Sequence, residues 1–146
     1  MWQSAINYLR NLRTYRDLSP DAGIRRSINV QLSSRPSLAL DEWSKLFPGL
    51  LNEPVSHKLL AFVYDQLPIY SGLEISKIRP SDRLIEDLQL PLVCWFDWPH
   101  QLCGDFYKTF QVDISENFDE SLLETIGDLV WFLNKQLKSP DSIASG

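Results

Sequence analysis

Three segments of the chain carry apolar residues at helical spacing, and together they constrain the fold more than any other feature. They are residues 57–67, 102–110 and 125–137. Their apolar positions recur every three or four residues, which is typical of one face of an α-helix. These positions are Leu59, Leu60, Val63 and Leu67, then Leu102, Phe106 and Phe110, then Ile126, Leu129, Val130, Leu133 and Leu137. A chain of 146 residues is long enough to form one hydrophobic core. The three helical stripes therefore predict a mostly α fold.

Capping residues precede each of these segments. Ser56, Asp97 and Thr125 can each accept a hydrogen bond from the first turn of the helix that follows. Asp128 lies three residues after Thr125 and adds a carboxylate to the same turn, where it complements the helix dipole. Because Pro68 lacks a backbone donor, we expect the first of these helices to stop there.

A shorter helix is predicted between Pro36 and Pro54. Asp41 is its expected cap, and Trp43 is expected to point inward. Residues 36–138 are then interpreted as a single helical domain, and the polar tail at 139–146 as disordered.

Residues 1–35 are interpreted as an N-terminal arm that contains a helix and a short strand. Residues 2–18 carry an apolar stripe at helical spacing. In residues 27–34, Ile28, Val30 and Leu32 alternate with polar residues, which favours a half-buried strand. An unpaired strand edge invites pairing with another chain, so a homodimer through the arm is a possibility.

Charge is divided between the arm and the rest of the chain. The first 40 residues hold six Arg and two Asp, whereas residues 41–146 hold eight basic and seventeen acidic residues. An acidic body argues against nucleic acid as a partner, because phosphate contacts need concentrated Lys and Arg. Within the basic arm, Arg10, Arg13, Arg25 and Arg26 are candidate contacts to a partner protein.

Neither a membrane span nor a secretory signal is predicted. No run of about 18 uninterrupted apolar residues occurs, and the N-terminus lacks the basic and then apolar order of a signal peptide. The two cysteines, Cys94 and Cys103, are too few for a disulfide framework and are typical of reduced thiols. We therefore expect a cytoplasmic protein.

Residues 56–138 resemble the acyl carrier protein family. The shared motifs are Asp87-Leu88 at the end of a long loop, Phe110-x-Val112-x-Ile114 at the end of a second helix, and Thr125-Ile126-x-x-Leu129-Val130 at the start of the last helix. The resemblance implies a four-helix bundle. It also implies an Asp-Ser-Leu at the start of the second helix, whose serine carries a phosphopantetheine arm.

The sequence departs from the family at that serine. Counting forward from Asp87-Leu88 by the family's spacing reaches Leu92, and counting back from Phe110 reaches Phe96, because about four residues are inserted between the motifs. Neither side chain has a hydroxyl, and the nearest serines, Ser81 and Ser115, belong to other elements. Small bacterial carrier-like proteins of unknown function that lack the serine are a similar group.

The insertion is rich in aromatic residues. If Trp95, Phe96 and Trp98 are all buried, they form a plug in the core. If one or two are exposed, they form a contact patch, since Trp is favoured at the centre of protein interfaces.

Cys94, His100 and Cys103 are close enough in sequence to suggest zinc or thiol chemistry. A structural zinc needs four ligands, and the only other histidine, His57, is distant, so packing is favoured over a metal site. A thiol enzyme using Cys103 with His100 remains open, although Cys103 lies in the apolar sector of its helix, where thiols are inert.

The interpretation that these observations favour is a non-catalytic module that binds another protein and carries no cofactor or prosthetic group. Two alternatives remain. One is an acyl or aminoacyl carrier modified by phosphopantetheine at a non-standard serine, and the other is the thiol-dependent enzyme.

Overall fold

A computed structural model describes residues 19–47 and 54–137 of the chain. Within these ranges the protein is mostly helical and has no β-strand, which confirms the predicted class. The α-helices are α1 (Ala22–Leu32), α2 (Leu40–Ser44), α3 (His57–Ser71), α4 (Leu90–Val93), α5 (Trp98–Phe110) and α6 (Ile126–Leu137). Two 3₁₀ helices lie at Ile75–Lys77 and Glu120–Leu122. None of the helices in the described ranges is long and apolar enough to cross a membrane.

The predicted strand at residues 27–34 is wrong, because residues 27–32 belong to α1 and the next two form a turn. The side chain of Asp21 caps the helix by accepting a hydrogen bond from the amide of Ile24 at 3.0 Å. Ile28 and Leu32 are buried at 1% and 4% exposure, whereas Val30 is 64% exposed. Ile28 and Leu32 are four residues apart, and this spacing places them on one face of either a strand or a helix. Their packing on the core favours the helix. The expected pairing of two copies rested on this strand.

The predicted caps of α3 and α6 are confirmed. The Ser56 hydroxyl accepts a hydrogen bond from the amide of Leu59 at 3.3 Å. At the start of α6, the hydroxyl of Thr125 accepts from the amide of Asp128 at 3.1 Å, and the carboxylate of Asp128 accepts from the amide of Thr125 at 3.1 Å. The two residues form a reciprocal capping box, which fixes where the last helix begins.

The ends of two helices differ from the prediction. Helix α3 does not stop at Pro68 but continues to Ser71 and ends at Gly72, whose φ of 70° is left-handed. A proline inside a helix costs about 3 kcal/mol, and the burial of Tyr70 and Ser71, at 2% and 0% exposure, offsets this cost. Helix α2 begins at Leu40, so Asp41 lies in its first turn rather than at its cap.

The core lies between α3, α5 and α6. Ten of the twelve predicted inward positions are buried, and Phe110 and Leu137 are half-buried. Phe62 of α3 meets Phe106 of α5 edge to face, with ring centroids 5.7 Å apart. Trp43 of α2 is fully buried, as predicted, and its indole N–H donates to the carbonyl of Ile78 at 2.9 Å.

The segment after α1 is held to the long loop between α3 and α4 by an ion pair. The two terminal guanidinium nitrogens of Arg35, Nη1 and Nη2, donate to the carboxylate of Asp82 at 2.6 and 2.9 Å. The amide of Arg79 donates to the same carboxylate at 2.7 Å. Asp82 is 5% exposed, so its charge is stabilised almost entirely by these donors.

Replacing Arg35 with Ala should destabilise the protein, because it leaves a buried carboxylate without its cation. We expect a loss of about 2 kcal/mol in the free energy of unfolding, less than for a fully buried pair, because the Arg35 side chain is 35% exposed. Urea unfolding measures the loss. Arg26→Ala, on the exposed side of α1, is the matched control and should change stability by less than about 0.5 kcal/mol. Equal effects of the two substitutions would contradict the assigned role of the pair.

Candidate functional site

The aromatic loop, residues 94–98, joins α4 to α5 and is anchored at both ends. Cys94 is fully buried, and Trp98 is 2% exposed. Between them, Trp95 is 47% exposed and Phe96 is 46% exposed. The structure therefore separates the three predicted aromatic residues, with one in the core and two adjacent ones at the surface.

The local backbone explains why the chain turns outward here. Gln89 adopts a left-handed conformation with φ 50°, and this starts the short helix α4. The helix buries Val93 and ends at Cys94, whose amide donates to the carbonyl of Leu90 at 3.0 Å. The amide of Trp98 then donates to the carbonyl of Trp95 at 3.1 Å and closes a turn. The side chains at 95 and 96 lie on the outside of that turn.

Trp98 anchors the loop through a chain of aromatic contacts. Its ring meets Phe118 edge to face, with centroids 6.1 Å apart, and Phe118 lies 5.6 Å from Phe132 of α6. Because Trp98 is the first residue of α5, these contacts hold the start of the helix and the end of the loop together. Trp98 is therefore a core residue and not part of a contact patch.

Helix α1 and its capping residue are hydrogen-bonded to α4, directly before the aromatic loop. The amide of Asp21 donates to the carbonyl of Leu92 at 2.9 Å. The guanidinium of Arg25 donates to the carbonyl of Val93 at 2.8 Å and to that of Tyr70 at 3.4 Å. Arg25, expected to contact a partner, thus ties α1 to α3 and α4 within the protein.

The other predicted basic contacts are distributed differently. Arg26 is exposed on α1. Arg10 and Arg13 lie outside the described residues. Of the predicted strand residues, Val30 is exposed, whereas Ile28 and Leu32 are in the core.

The backbone of the aromatic loop is anchored at both of its ends. Trp95 and Phe96 lie within a short turn whose two ends are buried, and α1 holds the preceding helix. A backbone already anchored in this way loses little conformational freedom when a partner covers it. Large aromatic residues in this state are the usual hot spots of protein interfaces.

The two thiols are poorly suited to nucleophilic chemistry. Burial raises the pKa of the Cys94 thiol to about 12. Burial, and then the nearby carboxylates of Asp113 and Glu120, raise the pKa of the Cys103 thiol to about 11. His100 is exposed. A thiol nucleophile needs a lowered pKa, so these environments work against the thiol-enzyme alternative.

No group of three or more His, Cys, Asp or Glu residues within 19–47 and 54–137 is arranged to hold a metal ion. Cys94 and Cys103 are both free thiols. Cys94 is fully buried and Cys103 half-buried against the core, so packing accounts for both residues.

The start of α5, where the resemblance implies a serine, has no residue with a hydroxyl group. The helix begins with Trp98-Pro99, preceded by Asp97. Among the serines considered in its place, Ser115 donates its hydroxyl to Asp113 at 2.6 Å, and Ser81 is exposed in the long loop. Both lie on elements other than α5.

A cavity that the sequence did not reveal lies between α2 and the start of α3. It has a volume of about 480 Å³, and Asp41, Ser44, Lys45 and His57 line it. Asp, Ser and His are the residue types of a hydrolytic triad. The Oγ atom of Ser44 is buried, however, and has no hydrogen-bond partner among the described residues. A serine nucleophile needs a bonded base, so this cavity is not assembled for that chemistry.

Replacing Trp98 and Trp95 separately tests the division between core and surface. Trp98→Ala should lower the free energy of unfolding by about 3–5 kcal/mol, because it leaves a large cavity beside Phe118. Trp95→Ala should cost about 1 kcal/mol or less, since the side chain is half exposed. Urea unfolding followed by circular dichroism measures both changes, and a reversed order would contradict the assignment.

Alkylation tests the state of the thiols. At pH 7 the folded protein should react with iodoacetamide about 100-fold more slowly than a free cysteine, and the rate should rise with pH towards 11, the pKa of Cys103. Both thiol pKa values are raised in the folded state. The free energy of unfolding should therefore be unaffected by the thiols below their ordinary pKa of 9.0, and it should fall as the pH rises towards 12. The unfolded protein in urea is the control. Rapid stoichiometric labelling at pH 7 would instead favour the thiol enzyme.

Comparisons with protein-family models, with curated proteins and with solved structures found no match to this chain.

Proposed function

We propose that this protein is a carrier-like helical domain without a prosthetic group, and that it acts by binding another protein through Trp95 and Phe96. The observation that carries the proposal is the exposure of two adjacent large aromatic side chains, 47% and 46%, between two buried anchors. Exposed aromatic residues held in a fixed geometry are rarely accidental.

The energetics favour a contact role. Burying the exposed remainder of either side chain contributes about 2–3 kcal/mol, at about 25 cal/mol for each Å² removed from water. Two adjacent residues on a pre-organised turn add their contributions with little entropic cost. Trp95 and Phe96 therefore have the properties of an interface centre, where a few aromatic residues dominate the binding energy.

The order of helices supports the carrier-like part of the proposal. Helices α3, α5 and α6, with the 3₁₀ helix Glu120–Leu122 before α6, follow the order that the resemblance implies. At the start of α5, where a carrier has its serine, the chain has Asp97, Trp98 and Pro99, and Trp98 is buried in the core. This position offers no hydroxyl for phosphopantetheine, which favours binding over carrying.

The chemistry of the surface narrows the class of partner. The chain has a net charge of −5 and its acidic residues lie mainly after residue 40, which favours a protein partner over nucleic acid. Both cysteines are free thiols, and this supports the cytoplasmic location that the composition predicts.

The proposal is tested by the proteins that cross-link to a tagged copy in its native cell. We expect a specific partner to be recovered with the wild type and lost when Trp95 and Phe96 are both replaced by Ala, because the substitutions remove the interface centre and spare the core. Quantitative mass spectrometry of the cross-linked products measures the loss.

The matched control is Leu122→Ser, which changes an apolar residue that is 79% exposed on another element. It should keep the partner. Recovery of the same partners with the wild type and with the Trp95→Ala, Phe96→Ala variant would refute the proposal.

A further inference from the structure

The cavity between α2 and the start of α3, here named the α2–α3 cavity, has a polar and an apolar part. Its volume of about 480 Å³ lies within the usual range of small-molecule sites, about 300–1,000 Å³. The apolar part is formed by Phe47, Pro54, Val55 and Leu60, and the polar part by Asp41, Ser44, Lys45 and His57. An apolar wall with a few polar groups is typical of a site for a small ligand.

The hydroxyl of Ser44 lacks a partner in the wall of this cavity. Its Oγ atom is buried and has no hydrogen bond to any of the described residues. Buried polar groups are nearly always bonded, because an unmade hydrogen bond costs free energy. The side chain as a whole is only half-buried, so a rotation about its Cα–Cβ bond turns the hydroxyl towards the cavity. A ligand in the cavity would supply the missing hydrogen bond.

Two opposite charges lie on the same side of α2 as Ser44. Asp41, Ser44 and Lys45 are at positions i, i+3 and i+4, which share one face of a helix. Side chains of opposite charge at this spacing often pair with each other. Neither charge has an ion-pair partner within residues 19–47 and 54–137, however. One carboxylate and one ammonium group are therefore available beside the cavity.

The start of α3 adds hydrogen-bond donors to the cavity. The amide of Leu59 donates to the hydroxyl of Ser56, and the amide of Leu60 to the carbonyl of Ser56. The amides of His57 and Lys58 have no acceptor among the described residues, as is usual in the first turn of a helix. Because His57 lines the cavity, these amides and the positive end of the helix dipole favour a negative group there.

We propose that the α2–α3 cavity binds a small zwitterion with an apolar side chain, namely a free α-amino acid of the leucine type. A simple anion would be repelled by Asp41, and a simple cation by Lys45 and the helix dipole, so a ligand with both charges fits best. Its carboxylate accepts from Lys45 and from the first amides of α3, its ammonium group faces Asp41, and its side chain contacts the apolar part. The inference goes beyond the proposed function and does not depend on it.

The test is a titration of the ¹⁵N-labelled full-length protein, followed by its amide signals in NMR spectra. L-Leucine should shift the signals of Ser44, Lys45, His57 and Lys58 and saturate them by about 10 mM. L-Leucinamide lacks the carboxylate and N-acetyl-L-leucine lacks the ammonium group, so each should bind about tenfold more weakly. Glycine should also bind more weakly than leucine, because it has no side chain to bury.

Charge-removing variants assign each end of the ligand. Lys45→Gln should weaken leucine binding about tenfold and leave leucinamide binding unchanged, whereas Asp41→Asn should do the same for leucine and N-acetyl-leucine. Lys108→Gln and Asp65→Asn are the matched controls, since they remove exposed charges on α5 and α3 outside the cavity wall. Both controls should bind leucine as the wild type does.

Ser44→Ala separates binding from folding. It should leave the thermal unfolding temperature unchanged or raise it, because it removes a buried hydroxyl that has no partner. It should nevertheless weaken leucine binding about fivefold, the usual effect of one lost hydrogen bond. A marked loss of stability would instead show that the hydroxyl serves the fold.

Three further outcomes would overturn the inference. They are the absence of saturable shifts at the four amides, equal affinity for leucine and its two derivatives, and wild-type affinity in both charge-removing variants. None of these results concerns Trp95 or Phe96, so the proposed function is tested separately by its own experiment.

Discussion

The buried carboxylate of Asp82 is the constraint on which the arrangement of this protein depends. The carboxylate accepts hydrogen bonds from the guanidinium of Arg35 and the amide of Arg79. The backbone carbonyl of Asp82 accepts from the amide of Ile126. One residue therefore joins the segment after α1, the long loop and the start of α6. A charge at 5% exposure needs its donors, so the loss of any one of these contacts is costly and links the three parts of the chain in stability.

The position of the aromatic loop depends in turn on where α1 lies. With the end of α1 held at Arg35, the rest of the helix lies along the core, and Arg25 reaches the carbonyls of Val93 and Tyr70. Trp98 is fixed from the other side by Phe118. The positions of Trp95 and Phe96 thus depend on contacts made by Arg25 and Trp98 with residues distant in sequence. A binding surface that includes them would have an anchored backbone before any partner arrives.

Local signals account for the parts of the fold that were predicted correctly. The apolar stripes of α3, α5 and α6 and the capping box at Thr125 depend on residues no more than four apart, which the sequence displays directly. The errors fall where a distant contact decides. Pro68 is tolerated because Tyr70 and Ser71 after it are buried, and residues 27–32 are helical because Ile28 and Leu32 pack on the core. Of the site, the sequence indicated the aromatic cluster but not which members face the solvent.

What the sequence determined by itself is the helical class, the starts of α3 and α6, and the lack of a hydroxyl in the aromatic segment before α5. These properties follow from side-chain chemistry and short-range spacing. The tertiary structure alone decided that Trp98 is in the core while Trp95 and Phe96 are exposed, and that α1 is a helix. The first outcome depends on Phe118, which lies far from Trp98 in sequence, and the second on the core against which Ile28 and Leu32 pack. Only the folded chain brings these residues together.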